Sequence, residues 1–493
     1  MKAVKIFFIS IIILLHQTLL PQQSTWTLIL KNNNDRRVTD LLENDSGTIF
    51  ITEYQRITGT NYYKSSIVKI EKTGLLIDSI EFFKYDTSLL ITRILPNSSN
   101  DFIVLMQIFN PNNFGNCGFK TKAIDYQLQE TISSRLFIFP NKYNTINVNA
   151  ERGNNNILVF GSIKSGNSSP KMIIYELNQN FDSIQGKMYI NEEPMLPMAI
   201  HQLSNNNFWI IHGIHSSYVL VDSLLNIISC EYGTIPKWMH GNCGIKWDSD
   251  TSFYYVGDFI SSIGLKNQNE HDVGFFHQFH PFDTLNNIFN YTGTVDTNEM
   301  PAYKNSISYK CKDTIFIGYT KNIDIYNAYY SSKHSFFALT QTDSMLNIRW
   351  ERFYGGDAYY NMTKLIATND GGCIMAGTRF DYKAHPNLKK RDIYIIKVNS
   401  EGLFTSADGK HAGMAHDAIV YPNPGSDRLR VTVAFQHKRS VFRLYDMSGK
   451  LVAEKRISGR NAEIDTRFLI KGTYVYTITN NKGLNEKGKW VKR

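Results

Sequence analysis

The side chains able to do chemistry in this 493-residue chain are thinly spread. Seven of its 13 histidines fall between His201 and His280, and two pairs, His212/His215 and His277/His280, stand three apart. On a helix that spacing puts both imidazoles on one face, whereas along a strand it sends them to opposite faces. No carboxylates accompany them at ligand spacing, so no metal site is expected. His212 takes a strand position held elsewhere by Phe160 and Val256, which places it in a core. Among the carboxylates, Asp248, Asp250 and Asp370 stand in polar turns before apolar strands, where Asp bonds backbone. Asp40 and Asp357 stand on stretches that can approach a common axis, and a carboxylate pair there would mark a glycosidase. There is no Gly-x-Ser-x-Gly elbow, phosphate-binding glycine loop or zinc-protease helix motif. The expectation is no catalytic residue, no cofactor and no metal.

Aromatics are the stronger lead. Tyr62, Tyr63, Trp238, Tyr329, Tyr330, Tyr359 and Tyr360 lie between strand-like segments. Flat amphipathic rings in loops supply contact area at little entropic cost, so these seven are the candidate binding surface for an extracellular glycan or protein.

The elements that must position them repeat. A polar turn followed by a short apolar strand recurs at 48–51, 102–106, 157–161, 208–213, 253–257, 315–318 and 373–377. The last five end in Gly161, Gly213, Gly257, Gly318 and Gly377, spaced 52, 44, 61 and 59 residues apart. After each comes an alternating hairpin with Gly, Asn or Asp at the bend, best seen at 67–76 and 393–403. A continuously apolar run is expected to be the innermost strand of its unit, and the hairpin to lie outside it. Seven such units fit the blades of a β-propeller over residues 24–406. Solenoid coils are shorter than these units, and sandwiches would not repeat seven times. Trp26–Leu30 is expected to complete or neighbour the last blade. The segment Trp350-x-x-x-Tyr354-Gly355-Gly356, Asn369-Asp370-Gly371-Gly372, Ala376-Gly377 is similar to propeller-like repeats of secreted Bacteroidetes proteins.

The two ends differ from this body. Lys2 and Lys5 precede an apolar run from Ile6 to Leu15, the layout of a signal peptide over residues 1–23 and too short for a membrane span. The formal net charge is +9. From Ala407 onward there are 17 Lys/Arg against 8 Asp/Glu, which accounts for all of it, and the body keeps 36 of each sign. A neutral body lacks the electrostatic footprint of a nucleic-acid binder. Cys117 and Cys243 share a Gly-Asn-Cys-Gly setting that is either a disulfide or one loop position in two repeats.

Residues 407–418 are small and polar, a linker. Beyond them, short strands at 428–435, 440–446, 450–457, 462–465, 473–480 and 488–493 fit a compact antiparallel β-sandwich of immunoglobulin-like kind over 419–493. The fold class is therefore all-β, a seven-bladed propeller followed by this sandwich. Its ordered motifs are Tyr421-Pro422-Asn423-Pro424, the run through Tyr445-Asp446 to Gly449, the Gly472-Thr473-Tyr474 turn, and a basic ending with Lys489 and Lys492. Together they resemble the type A C-terminal sorting domain of the type IX (Por) secretion system. That resemblance implies two partners, an outer-membrane translocon and a sortase-like peptidase that removes the tail. It also implies export through the periplasm to the cell surface or the medium, with no transmembrane segment in the mature protein. The function expected of the body is a non-catalytic binding module for glycan or protein. The competing expectation is an extracellular hydrolase with its residues in the propeller funnel.

Overall fold

The structure, a computed structural model, describes residues 24–404 and 415–493 except 58, 98–99, 111–116, 140–143, 167, 191, 193–194, 213–216, 232–238, 261–270, 280–286 and 295–296. The expected signal peptide and most of the expected linker lie outside the described residues.

Seven antiparallel sheets follow one another around a ring: 36–82, 88–138, 144–188, 197–231, 239–292, 299–355 and 359–398. Their first strands are Arg36–Glu43, Ser88–Pro96, Asn144–Arg152, Pro197–Gln202, Met239–Ser249, Glu299–Pro301 with Ile307–Ser308, and Tyr359–Ala367. Each of these touches the first strand of the next sheet, and the first and seventh meet, so they line the axis of a seven-bladed β-propeller. Trp26–Leu30 pairs with Asp392–Val398 as the outermost strand of blade seven, closing the ring with the start of the chain.

The apolar runs, expected innermost, are the second strands instead. A second strand is covered on both faces by neighbouring blades and so is mostly apolar, as in Ile157–Lys164, buried except at Lys164, and the fully buried Cys373–Phe380. The true inner strands carry charge toward the axis, and each unbroken one slips in register. One extra residue bulges in at Thr39, Thr92 and Thr363 in blades one, two and seven. Blades three, four and five are shifted in their first strands too. Opposite these shifts stand three of the recurrent glycines, Gly161, Gly257 and Gly377. A Cβ on Gly377 would lie 2.1 Å from the Asn361 carbonyl oxygen, and one on Gly161 would lie 2.9 Å from that of Asn147. The glycine rhythm therefore marks where a bulged inner strand presses on its neighbour.

A second device repeats at the bend that follows the third strand of five blades. Asp125, Asn178, Asp222, Asp343 and Asn399 each accept two backbone N–H groups, from the residues two and four further on. At the third position after the acceptor, Leu128, Phe181, Leu225 and Leu346 adopt positive φ and are buried, and Gly402 takes that place in blade seven. A left-handed backbone strains these four apolar side chains, and burying each in its blade offsets the strain. Asn399→Ala removes the acceptor of two N–H groups at a buried bend. It is expected to lower stability by about 1–3 kcal/mol, read by thermal unfolding.

The tail is a two-sheet sandwich. Ala418–Tyr421, Arg428–Val433 and Asn461–Asp465 form one sheet, and Leu451–Ile457, Ser440–Tyr445, Gly472–Thr479 and Asn485–Lys492 the other. Leu429, Val431, Phe442, Leu444, Ile478 and Trp490 fill the space between them.

Candidate functional site

Charged side chains from six blades converge on the axis. Asp40, on the bulge of blade one, is buried and pairs with the Lys364 ammonium of blade seven. Asp40 also accepts the Leu41 and Ile94 N–H groups, each at 2.8 Å. Arg93 of blade two stands 3.7 Å from Asp40 and 2.9 Å from Glu151 of blade three, and donates to the Ala150 carbonyl at 3.2 Å. Lys304, in the gap of the blade-six inner strand, and Lys246 of blade five complete the group without an ion pair at contact distance among the described residues. Burial lowers the pKa of Lys304; Asp40 opposes this, and Arg93 adds to it. Burial likewise lowers Lys246, against the pull of Glu151 and with the push of Lys310 and Arg93. Four cations thus face two carboxylates. Both carboxylates are tied to cations, so neither is placed as a proton donor. The bulges aim these residues, because the extra threonine in blades one, two and seven immediately precedes Asp40, Arg93 and Lys364.

Of the seven predicted aromatics, Tyr62, Tyr63, Tyr329 and Tyr330 share the face on which first strands begin. Tyr329 is 44% exposed, and the guanidinium groups of Arg37 and Arg391 lie 4.8 and 4.9 Å from its ring centre. Tyr330 donates to Asp35 at 2.9 Å, and Arg391 holds the same carboxylate. Tyr63 packs on Tyr54, which in turn lies under Arg37. Tyr359 and Tyr360 are not surface residues: at 1% and 2% exposure they belong to the core. They begin the inner strand of blade seven, where Tyr360 packs on Phe337 and Tyr394 and Tyr359 joins Ile323 and Phe380. Trp238 lies outside the described residues.

The other sequence candidates among the described residues make structural contacts, and His215 and His280 lie outside those residues. His212 is in a core, as expected. His277 stacks on Tyr254 at 4.0 Å, and burial lowers its pKa. Asp250 accepts from the Ser204 N–H at 2.9 Å and faces His201. Asp370 accepts from Thr368 and Gly372 inside its turn and pairs with Lys397. Asp357 holds Arg379 and Tyr360. Cys117 precedes the third strand of blade two and Cys243 lies in the first strand of blade five, so they are not one loop position in two repeats. Among the described residues no three His, Cys, Asp or Glu side chains are placed to hold a metal, and no helix is long and apolar enough to cross a membrane.

The sorting-motif residues are built into the tail. Asn423 donates to the Lys489 carbonyl at 2.7 Å and accepts the Val491 N–H at 3.1 Å. Trp490 donates to the Pro422 carbonyl at 2.8 Å, and Lys492 reaches the Ser426 carbonyl. The Tyr421–Pro424 segment thus straps down the last strand. Asp446 accepts the Ser448 and Lys450 N–H groups across the turn that Gly449 closes with φ +86°. Tyr474, which follows Gly472, donates to the Ile470 carbonyl, and Tyr445 pairs with Val475.

Sequence reasoning missed that this sandwich is docked on blade six. Ala415–His416, expected as linker, pairs with Phe353 and Tyr354 at the edge of the sheet. Gln436 donates to the Glu351 carbonyl and accepts the Glu351 N–H, each at 3.0 Å. Arg460 reaches across to the buried Glu351 carboxylate, which also accepts from Tyr319 and from Thr292 at 2.8 Å. Ile419, Tyr421 and Ala434 join a core that includes Tyr319, Phe336 and Phe353.

No curated protein matches the chain. Among solved structures it is similar to a catalytically inactive virginiamycin B lyase from Staphylococcus aureus (11% identity, 76% of this chain and 100% of the other, TM-score 0.42). It is also similar to an α-L-arabinofuranosidase from Fusarium graminearum (11%, 77% and 98%, 0.38). A third is PorZ, a surface component of the type IX secretion system of Porphyromonas gingivalis (10%, 92% and 75%, 0.23). Residues 419–493 match the model of the secretion system C-terminal sorting domain. The chain is therefore a propeller protein carrying a type IX sorting domain, and it is sent by that system to the cell surface or the extracellular space.

Proposed function

We propose that the propeller is a non-catalytic binding module that holds an extracellular glycan or protein against the face carrying Tyr62, Tyr63, Tyr329 and Tyr330. The observation that carries this reading is the state of the axis. A hydrolase in the funnel needs one carboxyl free to give a proton and another free to attack or activate water. Asp40 and Glu151, the two carboxylates of the axial group, instead share Arg93, and Asp40 also holds Lys364. Tyr329, by contrast, presents an exposed ring whose orientation is set by two arginines, a pre-organised platform for a flat or apolar ligand face.

In this reading residues 24–406 form the binding body and residues 419–493 the addressing tail. The test is a glycan array with a parallel arm of immobilised extracellular proteins. Tyr329→Ala is expected to weaken capture by about tenfold, or about 1.4 kcal/mol, with an unchanged melting temperature. Turnover of a glycoside or peptide library that disappears in Asp40→Asn or Glu151→Gln would replace this reading with the hydrolase.

A further inference from the structure

At the seam between blade six and the sorting domain lies an open groove of about 1060 Å3. Its walls carry Arg349, Lys438, Arg439, Arg443 and Lys482, and no carboxylate. Arg349 is paired outside the groove with Asp313 and Arg443 with Glu454, each at 2.8 Å. Lys438, Arg439 and Lys482 are exposed and have no carboxylate at ion-pair distance among the described residues. Arg439 sits at φ +70°, a left-handed backbone that disfavours any side chain but glycine. Lys438 lies 3.8 Å over the Phe435 ring, which fixes its ammonium at the groove wall. Ile348, Phe435 and Val441 add apolar surface to the lining, and Gln436, His437, Thr479, Asn480 and Asn481 add neutral polar groups.

We infer that this groove is a docking site for an acidic polypeptide segment of a partner protein. Guanidinium forks match carboxylates bidentately, and the apolar side chains of the same lining suit a segment that mixes Glu or Asp with aliphatic residues. A bare polyphosphate or sulfated chain would satisfy the cations and leave the apolar lining unused. Two of the lining residues, Ile348 and Arg349, belong to the propeller, and the rest belong to the tail. The groove therefore exists only while the sandwich is seated on blade six. A partner that binds here recognises the assembled protein and not the sorting domain alone.

The experiment uses the full chain and a fluorescent peptide alternating Glu and Leu, read by anisotropy, with a labelled polyphosphate as a second probe. The peptide is expected to bind and to weaken as salt rises. Arg349→Glu on the propeller side and Arg439→Glu on the tail side are each expected to weaken it by about tenfold, with melting temperatures unchanged. Lys450→Glu, an exposed tail cation away from the groove, is expected to bind as the unaltered chain does. Equal binding by all variants, binding of polyphosphate only, or no binding of either probe would overturn the assignment.

Discussion

Arg460→Met is expected to unseat the sorting domain from the propeller. The substitution keeps most of the apolar stem and removes the charge, leaving Glu351 in its buried site without the cation that crosses from the tail. Losing one member of a buried ion pair costs about 3–5 kcal/mol, because the remaining charge stays desolvated. Lys321 lies near enough to steady Glu351 electrostatically, so the loss should fall toward the lower end. Limited proteolysis and thermal unfolding measure it: the tail should be cut faster and the transition should split or fall. Adding Glu351→Gln to Arg460→Met removes the stranded charge and should recover much of the loss. A general packing defect would not be rescued that way.

The same seam gives a pH dependence. Burial pushes the Glu351 carboxyl up, but Arg460, Lys321 and the hydrogen bonds from Tyr319 and Thr292 outweigh it and hold it below the ordinary Glu range. Burial also pushes Asp417 up, and the His437 hydrogen bond with the Arg352 charge outweighs it in the same sense. A carboxylate whose pKa is depressed on folding contributes its stability above the unfolded value and loses it as pH falls through the folded one. Docking should therefore hold at neutral pH and weaken below about pH 4. Arg460→Met should flatten that acid limb.

How much of this was legible in the chain follows from what each strand faces. Second strands lie between two blades and read as unbroken apolar runs, so seven of them could be counted without a structure. The closure by Trp26–Leu30 was legible for a related reason, since it is an outer strand like Ile348–Gly355. First strands were invisible as such because a bulge breaks the period of two where the chemistry sits. Thr39-Asp40, Thr92-Arg93 and Thr363-Lys364 read as polar interruptions until the register shows them to be one repeated corner. Asp40 was singled out from its position, but its partners Arg93, Glu151 and Lys364 were not, because axial convergence depends on ring closure rather than spacing. Tyr359 and Tyr360 misled for the same reason. The pair looks like a loop tip, yet it begins an inner strand that blade six covers. The tail motifs were legible because they are local, and their docking was not, because Glu351 and Arg460 are 109 residues apart.

Asp40→Ala is expected to be the most damaging single change at the axis. It leaves the Lys364 ammonium buried with Arg93 as a like-charged neighbour, and it orphans the Ile94 N–H that Asp40 accepts at 2.8 Å. The expected loss is about 3–5 kcal/mol, seen as a lower melting temperature. Its pH course separates an electrostatic cause from a cavity. Burial already lowers the Lys364 pKa, with Asp40 opposing and Arg93 adding, and removing Asp40 must lower it further. A lysine depressed on folding binds fewer protons in the native than in the unfolded state, so stability rises with pH between its two pKa values. The deficit of Asp40→Ala against the unaltered chain should therefore shrink as pH rises from neutrality toward about 10. A deficit constant over that range would mean that Asp40 matters only as packing. Lys364→Met in the Asp40→Ala background should recover part of the stability, since it removes the stranded Lys364 ammonium while Arg93 keeps Glu151 as its partner. If the tyrosine face binds ligand independently of the axis, this double variant should also keep the affinity of the unaltered chain, which would place the axial charges in holding the ring together and not in recognition.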